Sequence, residues 1–114
     1  MTLSAEQASI CAKYGATPFA VSSGLKAGVA ANVWSGLVPL NGLRHPQAGD
    51  SSGWYLWAGE EFSTDPDLWR AVHIEHLSDI RPEVMKYLAL PPGWRFLIAR
   101  DYEDVWYDES LLNV

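Results

Sequence analysis

Trp54-Tyr55-Leu56-Trp57-Ala58, closed by Gly59, is a run of large residues with no position that asks for water. Side chains of a strand alternate between two faces, so bulk at every position predicts a strand covered on both sides and central in its sheet. Upstream, Phe19 to Val21 is short and apolar, and Val29, Ala31, Val33 and Leu37 alternate with Ala30, Asn32, Trp34 and Gly36. That two-residue period predicts further strand, with Ser22-Ser23-Gly24 and Gly28 marking a turn between the two segments. The stretch from Asn41 to Asp50 is dense in turn formers and reads as a long loop. Downstream, the run Glu60 to Asp67 breaks the pattern and Trp69 to Ile74 makes a short strand. Trp94, Phe96 and Ile98 alternate with Arg95, Leu97 and Ala99, and Val105 to Tyr107 gives a last strand.

Two segments carry helical signals instead. Ser4-Ala5-Glu6-Gln7 fits a capping box, in which the serine oxygen and the side chain three residues on each take an orphan amide. Leu3, Ile10, Cys11 and Tyr14 then fall near one face, and Gly15 supplies the left-handed residue that ends the helix. Later, Ser78 or Asp79 caps a second helix with the stripe Ile80, Val84, Tyr87 and Leu88, with Pro82 in its first turn and Pro91-Pro92-Gly93 as its stop. Two helices separated by strands with hairpin-length connections predict an α+β class, with an antiparallel or mixed sheet and about two helices packed against it.

Composition agrees with one domain over residues 1–114. The chain is 48% hydrophobic and 19% charged, enough apolar content for a core. Cys11, the only cysteine, cannot form an internal bridge; it reads as core filler and favours a reducing cytoplasmic compartment. Residues 1–6 have neither a basic start nor an apolar run, so no signal peptide or membrane span is expected. The net charge of −6 sits in the second half: residues 1–58 hold two acids and three bases, residues 59–114 twelve acids and five bases. Such a surface repels nucleic acid and suits a basic protein partner.

Catalytic signatures are scarce. His73-Ile74-Glu75-His76 offers two imidazoles and a carboxylate, but on a strand positions three apart point to opposite faces, and no cysteine pair or further histidine cluster completes a metal site. The serines lack a nucleophile elbow and the glycines form no phosphate cradle. No cofactor, metal or catalytic residue is expected. Asp101-Tyr102-Glu103-Asp104-Val105-Trp106-Tyr107-Asp108-Glu109, with five acids, three aromatics and no base, is the more informative stretch. Rings anchor protein interfaces and acids steer partners toward them. Asp101, Glu103, Asp104, Trp106 and Asp108 are therefore candidate partner contacts, joined by Trp57, Glu60 and Glu61 around the turn after the central strand. The competing reading makes the rings core and the acids a solvated edge that deters strand pairing.

Ser52-Gly53-Trp54-Tyr55-Leu56-Trp57-Ala58-Gly59-Glu60, followed by Pro91-Pro92-Gly93-Trp94-Arg95-Phe96, resembles immunity protein thirty-three of bacterial polymorphic toxin systems. The similarity runs from about Phe19 to Leu112, leaving the helix of residues 1–15 outside. The family often reads Asp-Ser-Gly-Trp, whereas Asp50-Ser51-Ser52-Gly53-Trp54 has an extra serine. The resemblance implies a cytoplasmic protein that binds a cognate toxin domain and blocks its active site, and it brings no catalytic residues. The alternative is a small-ligand-binding protein or hydrolase using the Arg44-His45 loop with His73 or His76. The sequence leaves a homo-oligomer open.

Overall fold

The computed structural model describes residues 3–22, 24–59 and 65–113. Helix α1 (Ala5–Tyr14) starts and stops as its sequence predicts. The Ser4 side chain accepts from Gln7 N while Gln7 Oε1 accepts from Ser4 N, and Gly15 closes the helix at φ 74°. Ile10 and Cys11 enter the core, each apolar side chain buried there contributing about 1.5–3 kcal/mol. Leu3 stays partly exposed, while Gln7 is buried and donates to the Met85 carbonyl.

Six strands follow: β1 (Lys26–Ala30), β2 (Leu40–Arg44), β3 (Ser51–Ala58), β4 (Trp69–His73), β5 (Trp94–Ala99) and β6 (Tyr102–Tyr107). They form one sheet in the order β4-β1-β3-β2-β5-β6. Only β1 and β3 run parallel, so the sheet is mixed and the class is α+β. β3 lies inside the sheet with Trp54, Leu56 and Ala58 on one face and Trp57 on the other, all buried, as bulk on both faces predicts. The first face carries the main core, covered by α1 and the helical segment 74–90; the second holds a smaller cluster of Ala30, Leu43, Trp57 and Leu111.

Four expectations about the strands give way to tertiary contacts. Gly28 belongs to β1 rather than to a turn, because Tyr55 lies across it: a Cβ there would come 2.6 Å from the ring. Gly42 does the same in β2 beneath Phe96, so the "loop" from Asn41 starts as a fully buried strand and only residues 45–50 connect it to β3. A strand glycine with a neighbour's ring over it has the turn former's sequence and the opposite role. The strand expected through Leu37 stops at Ala30, and Ala31–Ser35 forms a 3-10 turn. There the Asn32 side chain donates to Ala58 O at 2.7 Å and accepts from Ala58 N at 3.0 Å, so an amide side chain replaces the next rung of the ladder. Phe19 to Val21 is not a strand; Val21 is buried, and Phe19 N donates to the Ala89 carbonyl.

The second helix is broken into pieces. Leu77–Ile80 is a single α turn (α2), Pro82–Tyr87 is 3-10, and Arg81 between them sits at φ −144°. Proline forces the residue before it out of the helical region, which splits the expected helix. Neither Ser78 nor Asp79 caps it; His76 holds that position with no side-chain cap. The apolar stripe survives, since Val84, Tyr87 and Leu88 are buried.

Candidate partner-binding surface

β6 is an edge strand, and its register with β5 sets which of its side chains share a face. Trp106 faces Arg95 and Asp104 faces Leu97 on one side of the sheet; Val105 and Glu103 pair with Phe96 and Ile98 on the core side. Glu103 is turned inward to a purpose. Its carboxylate accepts from Lys13 Nζ at 2.8 Å and from the Tyr14 and Tyr87 hydroxyls. Burial by itself would raise its pKa, but the three hydrogen bonds outweigh burial and hold it down to about 2. Burial and the same carboxylate push the Tyr87 and Tyr14 hydroxyls up. One residue of the edge strand thus clamps α1 and the Pro82–Tyr87 turn onto the sheet.

Asp108 is also occupied internally. It accepts from Ser110 N at 3.1 Å and Ser110 Oγ at 2.6 Å, capping the C-terminal 3-10 turn Glu109–Leu112, and it pairs with Arg95 at 3.3 Å. Arg95 in turn lies 5.3 Å over the half-buried Trp106 ring. Of the candidate contacts, Asp101 and Asp104 stand outward, and Tyr102 beside them is 56% exposed. Trp57 is only 3% exposed and forms part of the second core cluster, which leaves it almost no surface. Glu60 and Glu61 lie outside the described residues.

One exposed apolar group was not among the residues expected from sequence. Trp34, Leu37 and Val38, each about half exposed, project from the loop joining β1 to β2, which turns at Gly36 (φ 79°) and enters β2 through a cis Val38-Pro39 bond. Alternation had hidden them, since Trp34 and Leu37 read as ordinary strand positions. The interruption by Ser35-Gly36 and Pro39 was the available signal that this apolar run could not be strand throughout. The loop shares one end of the sheet with the β5-β6 turn: Gly59 N donates to Pro39 O, Leu40 pairs with both Ala58 and Ile98, and Ala99 pairs with Tyr102. A cleft of roughly 770 Å³ opens there, with both Val38 and Tyr102 in its lining.

The histidines occupy different settings. His45 packs edge-on against Tyr55 with Nδ1 2.9 Å from the Leu111 carbonyl. His73 and His76 meet edge-to-face with ring centroids 5.7 Å apart, contrary to the opposite-face expectation, because β4 ends at His73 and a 3-10 turn brings His76 round. Arg44 faces the interior, fully buried, and so has no part in a loop pocket. Among the described residues no group of three or more His, Cys, Asp or Glu side chains could hold a metal ion, and no helix is long and apolar enough to cross a membrane.

The molecule is an α+β domain with one helical face and an end where rings and charges lie open to solvent. The Imm33-like domain matches residues 6–108, and the chain belongs to that family, whose name is that of an immunity protein. The match takes in most of α1, which lay outside the stretch of resemblance noted from sequence, in keeping with the contribution of Ile10 and Cys11 to the core. No curated protein and no solved structure matches the chain.

Proposed function

We propose that this chain is a cytoplasmic immunity protein that neutralises a cognate toxin by laying the Trp34-Val38 end of its sheet across the toxin's active site. Family membership supports the class. The observation that carries the surface is the group Trp34, Leu37, Val38 and Tyr102, each between 49% and 56% exposed at one end of the molecule. Large apolar side chains grouped open to water mark an interaction surface, and tryptophan is among the commonest interface anchors. Asp101 precedes Tyr102 in the same turn, Asp104 lies exposed two residues along β6, and the acidic segment that begins with Glu60 and Glu61 follows Gly59 in the sequence. The acids draw a basic toxin in, and the rings hold it. Partner binding rests on these residues, with Trp106 at the margin; Glu103, Asp108 and Trp57 support the fold beneath them.

Co-expression with the toxin encoded beside its gene should restore growth, and a Trp34→Ala/Val38→Ser double variant should lose that rescue while remaining folded. Failure of the wild-type chain to rescue growth or to form a complex defeats the proposal.

A further inference from the structure

The cleft at the sheet end gathers bases in an otherwise acidic molecule, four of them against the three acids Glu83, Asp101 and Glu103. Lys13, Arg81, Lys86 and Arg100, four of the chain's eight lysines and arginines, line it. Two are already matched: Lys13 pairs with Glu103 at 2.8 Å, and Arg81 with Glu83 at 3.2 Å. Lys86 and Arg100 pair with no carboxylate among the described residues, and Asp101 is the one remaining acid of the lining. Lys86 Nζ is steadied 5.4 Å from the Tyr87 ring, and the exposed apolar residues Val38 and Tyr102 form part of the wall.

Building on the immunity reading, we infer that this cleft receives an Asp or Glu side chain of the toxin, presented beside an apolar residue that packs on Val38 and Tyr102. Two observations favour a protein carboxylate over other occupants. The exposed apolar residues Val38 and Tyr102 belong to the lining, and a side chain presented by a folded partner can cover them where a small inorganic anion cannot. The net charge of −6 opposes a polyphosphate backbone, which brings many charges, far more than a single carboxylate. The partner face is then basic overall with one acid set among its bases. A non-cognate toxin carrying a base at that point would meet Lys86 and Arg100, so the cleft acts in selectivity as well as affinity.

The test uses the full chain and the catalytic domain of the neighbouring toxin, inactivated by mutation, with affinity measured by calorimetry at 150 mM salt and folding followed by thermal melts. Lys86→Glu/Arg100→Glu should weaken the complex on the order of tenfold or more, because close charge pairs at interfaces couple at that level. Reversing one toxin carboxylate to lysine should recover much of the loss. The milder Lys86→Met/Arg100→Gln pair keeps the comparison clean should the double reversal perturb folding. A wild-type complex indifferent to both pairs overturns this inference and leaves the immunity reading standing, whereas no wild-type complex removes both. Dissociation of a homodimer of this chain by the reversal, with toxin affinity unchanged, would also overturn it.

Discussion

Two neighbouring stretches break the ordinary rule of polarity in opposite directions. Leu40–Arg44 includes an asparagine and an arginine and is buried at every position; Trp34, Leu37 and Val38, a few residues earlier, are large and apolar and half exposed. Arg44 is fully buried without a carboxylate, yet its Nε donates to Ser52 O at 3.0 Å and its Nη1 reaches the Phe19, Leu88 and Leu90 carbonyls at 3.1, 3.3 and 2.9 Å. Its guanidinium carbon lies 4.8 Å from the Phe19 ring centroid and 5.7 Å from that of Trp54. Burial pulls its pKa down to about 10, which leaves it charged at neutral pH. Burial therefore follows from available partners, and exposure follows from the absence of a covering layer, whatever the hydropathy of the residue. The first stretch is committed to folding and the second is open for use.

That contrast can be broken most severely at Arg44. Arg44→Met keeps the bulk but removes the donors from buried carbonyls, and should cost about 3–5 kcal/mol, lowering the melting temperature by roughly 15 °C. A shift below about 4 °C would mean that the carbonyls find other donors and that this burial is incidental. Gly53, at the start of the same buried pair of strands, has φ 90°, and a Cβ there would collide with the His45 carbonyl. Gly53→Ala should cost about 3 kcal/mol in a urea titration, with no change in slope if the fold is kept.

Glu103 stands between the two extremes, partly exposed and fully engaged. Glu103→Gln keeps the shape and removes the charge, at a cost of about 2 kcal/mol near neutral pH. Its folded pKa of about 2 lies below the ordinary 4.5, so its contribution is complete above pH 4.5 and is lost as the pH falls toward 2. The stability gap between wild type and Glu103→Gln should close over that window, and a constant gap would assign the effect to packing. Smallest of all should be the stability change of Trp34→Ala, within about 0.5 kcal/mol, because the side chain is half exposed. Under the proposed function its effect falls on toxin binding, where a hot-spot tryptophan is worth about 2 kcal/mol or more; a large loss of stability with unchanged affinity would make the loop a part of the fold.

The site was half legible. The acidic stretch Asp101–Asp108 offered its carboxylates alike as contacts; Asp101 and Asp104 do stand outward, but Glu103 and Asp108 looked the same as the acids beside them. What separates them is the presence of Lys13, Tyr14 and Tyr87 for one and of Arg95 and Ser110 for the other, and of these only the last lies within a few residues. Trp57 illustrates the same gap, because a tryptophan beside a turn suggests a surface anchor until Leu43 and Leu111 close over it. Trp34 was passed over for the reverse reason.

Local chemistry decided what a few consecutive residues can decide by themselves. The Ser4-Gln7 box and Gly15 bounded α1, bulk at every position from Trp54 to Ala58 made β3 internal, and the two-residue period set the faces of β5 and β6. Each rests on hydrogen bonds or side-chain periods completed within one element. Tertiary structure alone decided that Gly28 and Gly42 are strand, that Arg44 is core, that Glu103 is a clamp and that Trp34 is half exposed. Those outcomes depend on which ring, carbonyl or covering layer arrives from elsewhere in the chain, and proximity in space is not written in the residues on either side.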